Sequence, residues 1–449
     1  MTLFNMLERM YGDDEMARIF GEGETVRSWL DVEVCIARSQ AQLGIIPQDA
    51  AEHIAAAAVP EAISFDRLWA ETRNVGYPIL PLIRMVAEKL PPGPGGYLHL
   101  GATTQDIMDT GLVLQMLRAL QRLDRLTNSF GIAVAELVTT HRNTVMAART
   151  HGQQAVPTTF GAKMSVYLHQ ISQLVALVAD ALPKVAVLSL HGAAGTSAAL
   201  GERATELRRL VAAQLGLAAA EIPWHAARDP IWEFCQPFLR AAAVVGRLAR
   251  EITDLARTEI AEVAESSGHH RGASSTMPQK ENPILAETAI GFASATSATA
   301  SSLGRVMEVV HERAAGEWQL EWLTVGRVAH LGASAVMTGT ELIEGLRVQT
   351  SAMERNLGQD SGLIMAEAYM MKLAPLVGRE RAHDLVYEAA MRSRTNGQGL
   401  VESMQESRGE HDASTVADVI EPCDYLGHVH TVCDHALRAW SERTRLEAV

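Results

Sequence analysis

The stretch Gly272-Ala273-Ser274-Ser275-Thr276-Met277-Pro278-Gln279-Lys280-Glu281-Asn282-Pro283 holds the densest set of groups able to grip an anion. The hydroxyls of Ser274 and Ser275, the Lys280 ammonium and the Asn282 carboxamide are donors suited to a carboxylate. Small residues before Ser274 leave the backbone nearly unrestricted, whereas Pro278 and Pro283 fix φ and remove amide donors near the exit. Free entry and rigid exit suit a mobile flap. A plain Ser/Gly surface loop has the same composition, so residue types alone leave both readings open.

Three other features carry comparable chemistry. The run His99-Leu100-Gly101-Ala102-Thr103-Thr104-Gln105-Asp106 lies where a linker enters a long helix. Its Thr and Asp residues suit capping, and the free amides and dipole of the same helix start suit an anion. In Arg149-Thr150-His151-Gly152-Gln153-Gln154-Ala155-Val156-Pro157, His151 stands outside any apolar stripe, in a turn before a helix expected to begin near Pro157. Imidazole titrates near neutrality and is the natural proton carrier. Glu287 follows Lys280 by seven residues and shares roughly its face if a helix is already forming there. It reads equally as a solvated surface acid. His269 and His270 before Arg271 read as exposed loop residues rather than a metal site, and the Gly-rich His191–Thr196 segment as a turn, since it lacks a phosphate-loop lysine.

The elements that must position these residues are helical. Aromatics make up only 5% of 449 residues while Ala and Leu abound, which favours close-packed helices and an all-α class. Apolar periodicity predicts helices over 24–43, 48–58, 65–73 and 79–89, and a first lobe, 1–96, closing at Pro91-Pro92-Gly93-Pro94-Gly95-Gly96. Longer segments over 106–140, 158–181, 205–214, 230–263, 283–310 and 320–346 predict a central bundle, 97–347, carrying the loop 266–283. A final helical lobe spans 348–449, with helices over 366–376, 378–394 and 429–445. Helices apolar over much of their circumference have more surface than one bundle hides, which predicts oligomerisation.

A formal charge of -14 disfavours nucleic acid and anionic membrane as partners. Cys35, Cys235, Cys423 and Cys433 form no Cys-x-x-Cys pair, so neither zinc nor a disulfide framework is expected. With no leader-like start at Met1–Asn5 and no long charge-free apolar run, a cytoplasmic protein is expected.

The loop resembles the Gly-Ser-Ser-x-x-Met-Pro-x-Lys-x-Asn-Pro signature of the fumarase/aspartase superfamily, departing from it at Ala273 and Glu281. Motifs such as Trp29-Leu30-Asp31-Val32-Glu33, Pro223-Trp224-His225-Ala226-Ala227-Arg228-Asp229 and Glu317-Trp318-Gln319-Leu320-Glu321-Trp322 resemble the branch of the 3-carboxy-cis,cis-muconate cycloisomerases and adenylosuccinate lyase. The resemblance implies a three-lobed helical chain, a homotetramer with sites shared between subunits, and no metal or other cofactor. It implies Ser274 as the base, His151 as acid or proton carrier, and Glu287 as the partner of His151. Thr103, Thr104, Gln105, Thr150, Ser275, Met277, Lys280 and Asn282 would bind a small polycarboxylate, with Arg313 and the 191–196 turn approaching the pocket. The reaction expected first is β-elimination from an N-substituted aspartate with release of fumarate. Muconate cycloisomerisation is the alternative. Adenylosuccinate cleavage ranks lower because the purine-serving residues are missing, and a non-catalytic, crystallin-like role ranks last because Ser274 and His151 are kept.

Overall fold

A computed structural model of the chain describes residues 5–266, 268–313, 316–406 and 419–446. Ser267 in the loop entrance and the first four residues lie outside the described residues. The chain opens with α1 (Met6–Tyr11), α2 (Asp14–Ile19), α3 (Glu22–Gln42), α4 (Gln48–Ala57), α5 (Phe65–Val75) and α6 (Ile79–Ala87). Then come α7 (Thr104–Thr140), α8 (Phe160–Val185), α9 (Ala204–Leu215), α10 (Asp229–Leu255), α11 (Ile284–Ala300), α12 (Leu303–Val306) and α13 (Glu317–Glu344). The helices α14 (Thr350–Leu357), α15 (Ala366–Val377), α16 (Arg379–Asn396), α17 (Leu400–Glu406) and α18 (Val429–Leu446) complete the series. The class is all-α, as the composition predicts.

Extended structure enters in three two-stranded pieces: β1 (Val145–Thr150) with β2 (Gln153–Thr159), β3 (Val187–Leu188) with β4 (Ala218–Ala219), and β5 (Val263–Ala264) with β6 (Arg347–Val348). Two of these pairs correct expected helix boundaries, and serine hydroxyls correct a third. The helix expected from Thr158 begins at Phe160, because Val156, Pro157, Thr158 and Thr159 extend as a strand. The one expected to reach Val263 stops at Leu255, and Val263 pairs instead with Val348. The one expected to reach Val310 stops at Ala300, where the hydroxyls of Ser301 and Ser302 donate to the carbonyls of Ala298 and Thr299 and compete with the helix ladder.

Two compact units emerge, each assembled from separated stretches. The first comprises Met1–Thr127, Leu174–Gly246 and Thr288–Met337. Its core includes Leu30, Met116, Leu120, Phe234, Phe238 and Val328, all nearly inaccessible to water. Gly332 lies against Phe238, where a Cβ would approach the side chain and carbonyl to 3.0 and 3.1 Å, so a small residue lets α13 and α10 draw close. The second unit comprises Asn128–Gln173, Arg247–Glu287 and Thr338–Val449. Tyr369, Ile364, Met365, Val386, Leu400 and Ala147 form a core there, and the Tyr369 hydroxyl accepts the Ile420 N–H at 3.0 Å. No described helix is long and apolar enough to cross a membrane.

In the second unit Trp440 of α18 lies on Gly131 of α7, where a Cβ would fall 2.1 Å from the indole. Gly131→Ala is expected to destabilise the protein by about 1–3 kcal/mol through overpacking. A lowered urea midpoint with an unchanged m-value would register the loss.

Candidate active site

His151 and Gly152 are the two residues of the tight turn between β1 and β2, with φ of 53° and 74°. Positive φ at both central residues is the geometry whose twist matches a two-stranded ribbon, and it presents the exposed His151 at the hairpin tip. Thr150, also exposed, is the last residue of β1. The hairpin is held from behind. Arg149 donates to both oxygens of the fully buried Glu262, at 2.8 and 2.6 Å, and Asn356 Nδ2 donates to the same carboxylate at 2.8 Å. From β2, Gln154 Nε2 donates to the Asn356 carbonyl at 2.8 Å, so both strands are tied to one buried acid and its neighbour.

The 272–282 loop is closed at its neck. Asn282 donates to the Gly272 carbonyl through both its backbone N–H and its carboxamide, each at 3.0 Å, and Ala273 bridges Glu281. Gly272 is required there: its φ is +66° and a Cβ would lie 2.7 Å from the Asn282 carbonyl oxygen. Glu281 forms an ion pair with Arg347 at 3.0 Å, and Arg347 also donates to the Glu265 carbonyl at 2.8 Å. This gives the unusual acid beside Lys280 a mechanical role as one end of a staple.

Inside the loop, the N–H groups of Thr276 and Met277 both point at Ser274 Oγ, at 3.3 and 3.2 Å. Two convergent amide dipoles favour negative charge on that oxygen. After the loop, Glu265 accepts the N–H groups of Leu285 and Ala286 at 3.1 and 2.8 Å and so caps the start of α11. Burial pushes the Glu265 carboxyl above its ordinary range and the nearby Glu287 adds to the rise, while the two amides and Arg271 oppose it. Lys280, Asn282, Met277 and Glu287 line a cavity of about 960 Å³ together with Arg257 and Arg355. Four cationic side chains, Lys280, Arg257, Arg271 and Arg355, line this cavity against the acids Glu265, Glu281 and Glu287, and the three guanidinium groups suit it to an anion.

In the first unit, Thr103 and Thr104 sit half-buried at the start of α7. Asp106 organises that start. Its inaccessible carboxylate accepts the N–H groups of Thr103, His191 and Gly192 at 3.0, 2.9 and 2.9 Å and faces His225 Nε2 at 2.9 Å. Gln105 is buried and its carboxamide is engaged by the protein itself: Nε2 donates to Asp109 and the His225 carbonyl, and Oε1 accepts Arg313 Nε at 2.8 Å. Arg313 also donates to the Ala193 carbonyl at 3.0 Å, which brings the 191–196 turn beside it. Burial, with Arg208 and His225 nearby, pushes the His191 imidazole down to about 4, so it is neutral at pH 7.

The candidate residues thus fall into two groups. Thr103, Thr104, Gln105 and Arg313 belong to the first unit, and Thr150, His151, Ser274, Ser275, Met277, Lys280, Asn282 and Glu287 to the second. Among the described residues, no hydrogen bond or ion pair joins His151 to Glu287. Sequence reading missed Arg149, Glu262, Glu265 and Asn356, whose partners are distant in the chain. Asp106 was visible only as a capping acid.

Two substitutions separate support from surface. Glu262→Ala leaves the Arg149 charge without its buried partner and is expected to cost about 3–5 kcal/mol in denaturant unfolding. Glu281→Gln removes an exposed ion pair and is expected to cost at most about 1 kcal/mol. The same change should still raise hydrogen exchange of the 272–282 amides, a readout that global stability does not move.

The sequence matches the family described as Lyase over residues 9–297 and that described as Adenylosuccinate lyase C-terminus over residues 362–442. It is 35% identical over 438 residues to a 3-carboxy-cis,cis-muconate cycloisomerase of Pseudomonas aeruginosa, covering 96% of this chain and 94% of that protein. It is 30% identical over 438 residues to an N-acetyl-S-(2-succino)cysteine lyase of Dickeya dadantii, covering 97% and 96%. The crystal structure of 3-carboxy-cis,cis-muconate lactonizing enzyme from Pseudomonas putida matches with a TM-score of 0.91 at 31% identity, over 98% of this chain and 99% of that one.

Proposed function

The chain belongs to the lyase superfamily of fumarase and aspartase, and from that premise we propose that it splits an N-substituted aspartate into fumarate and an amine by β-elimination. It is an enzyme of the lyase or cycloisomerase type. The proton-abstraction step rests on the Ser274 oxygen, which lies under two backbone N–H groups. A serine is a poor base in water because its alkoxide is strongly disfavoured, and amide donors held in place before the reaction lower that penalty. In the proposed reaction, deprotonated Ser274 removes the proton next to a carboxylate. The electron pair forms the new double bond and the C–N bond breaks. His151 delivers a proton to the departing nitrogen, and Glu287, which makes no hydrogen bond to it among the described residues of this chain, is its expected partner once subunits assemble.

Removing that proton builds a second negative charge on the carboxylate. Lys280 and Asn282 stabilise it from the loop, and Thr103 and Thr104 hold a carboxylate at the start of α7, where the helix dipole and the amides not taken by Asp106 favour an anion. Thr150, Ser275 and Met277 shape the pocket, while Gln105 and Arg313 support the α7 side. The reading includes a homotetramer with sites shared between subunits, a cytoplasmic location, and no metal or other cofactor. A relative named for cleaving a succinylated cysteine supports elimination from a succinyl group. The second reading, cycloisomerisation of 3-carboxy-cis,cis-muconate, is favoured by the names of other relatives.

Fumarate absorbance with a panel of N-substituted aspartates, run beside consumption of 3-carboxymuconate, decides between them. Fumarate release from an aspartate derivative is expected, and exclusive consumption of the muconate would replace elimination by cycloisomerisation. Ser274→Ala should lower kcat by roughly 10²–10⁴, the scale of a positioned base, without changing the unfolding midpoint. Full activity in that variant would sink the mechanism.

A further inference from the structure

A second cavity, in the first unit, has a different chemistry. It encloses about 530 Å³ and is walled by Trp29, Trp69, Trp318 and Trp322, four of the seven tryptophans in the chain. Trp318 and Trp322 stand 5.2 Å apart, and Tyr77 stacks on Trp318 at 5.5 Å, which stiffens that wall. Asp109 and Glu321 also line the cavity, and both are 1% exposed. Between them lies Arg228, wholly inaccessible, which donates to Asp109 at 2.7 and 3.0 Å and to Glu321 at 2.7 and 2.6 Å.

Two carboxylates thus share one guanidinium, and when both are ionised the triad carries a net negative charge. Such a charge is costly away from water unless it is partnered. Burial above all, with Asp109 adding, pushes the Glu321 carboxyl up to about 7 against the pull of Arg228. The other charged or titratable groups on the walls do not supply the missing cation. Arg327 pairs with Glu8 at 2.9 Å, and burial pushes the His330 imidazole down toward its neutral form. At the rim, the Trp69 indole N–H donates to Glu22.

We propose that this cavity receives an organic ammonium ion, specifically the amine that leaves in the elimination. Indole faces attract a cation through the ring quadrupole, and the acidic floor supplies the counter-charge. The same floor repels a distal carboxylate or phosphate. The volume is that of a pocket for a small molecule. The position fits as well: the Gln105 carboxamide spans from Arg313, at 2.8 Å, to Asp109, at 3.1 Å, so the floor lies one turn along α7 from the start that holds Thr103 and Thr104. The identity of the occupant as a leaving amine rests on the elimination reading. Its charge rests on the cavity alone.

The test is binding of n-butylammonium to the intact protein, followed by tryptophan fluorescence and calorimetry, beside the isosteric probes n-butanol and butyrate. Saturable binding of the ammonium is expected, at least about tenfold tighter than butanol, as one desolvated cation–π contact with a counter-charge provides. No binding of butyrate is expected. Affinity for the ammonium should rise from pH 6 to pH 8, with proton release on binding, because the occupied cavity holds Glu321 ionised. Trp322→Ala, at a position 45% exposed, should keep the fold and weaken the ammonium at least about fivefold. Glu321→Gln should erase both the preference for charge and the pH dependence; if that variant fails to fold, the pH series and Trp322→Ala decide. Equal affinity for butanol and butylammonium, or no saturable binding, overturns the proposal even if fumarate is released from an aspartate derivative. Ammonium binding without fumarate release supports the cation site and overturns the elimination reading instead.

Discussion

A charge withdrawn from water has to find its partner inside the protein, and that requirement ties the first unit together at Asp109, Arg228 and Glu321. The guanidinium bonds to two carboxylates from helices more than two hundred residues apart in sequence, and all three side chains are essentially inaccessible. Removing the guanidinium leaves two buried carboxylates uncompensated, a far larger penalty than losing an exposed pair. Asp106, one turn earlier on α7, repeats the logic with neutral donors. Three backbone N–H groups and His225 converge on it, so the start of α7 and the 191–192 segment share one acceptor. Thr103 and Thr104 inherit their position from this arrangement.

The second unit uses the same device at Glu262, which anchors the hairpin bearing His151 through Arg149 and Asn356. Its 272–282 loop is held differently. Backbone bonds close the neck between Gly272 and Asn282, and an exposed Glu281–Arg347 pair reinforces it. Exposed ion pairs contribute little to stability. The loop is thus tied to its surroundings by weaker contacts than the hairpin is. In the proposed reaction this contrast sets His151 on a firmly anchored arm and Ser274 on a more lightly held loop.

The three strand pairs show where pattern reading reaches its limit. Gln153–Thr159 has only short apolar runs, and the helical period of Phe160–Val185 reads back onto its last two residues, Thr158 and Thr159. What forms the hairpin is its pairing with Val145–Thr150 and the paired left-handed residues His151 and Gly152, neither of which an apolar period registers. Ala261, at φ 50°, likewise follows the end of a helix that composition alone would continue.

By itself the sequence determined the helical class, most long helices, and the loop whose residue order points to a family of lyases. These are local properties: propensity, periodicity and a contiguous motif lie along the chain and survive without its folding. Tertiary structure alone decided that Ser274 lies under two amides, that Glu281 reaches Arg347, and that Asp109 and Glu321 meet on one arginine beneath four tryptophans. Each of those facts joins groups that a backbone turn or a distant helix must bring within a few ångströms, and the strength of a buried charge depends on that separation and on the water excluded around it.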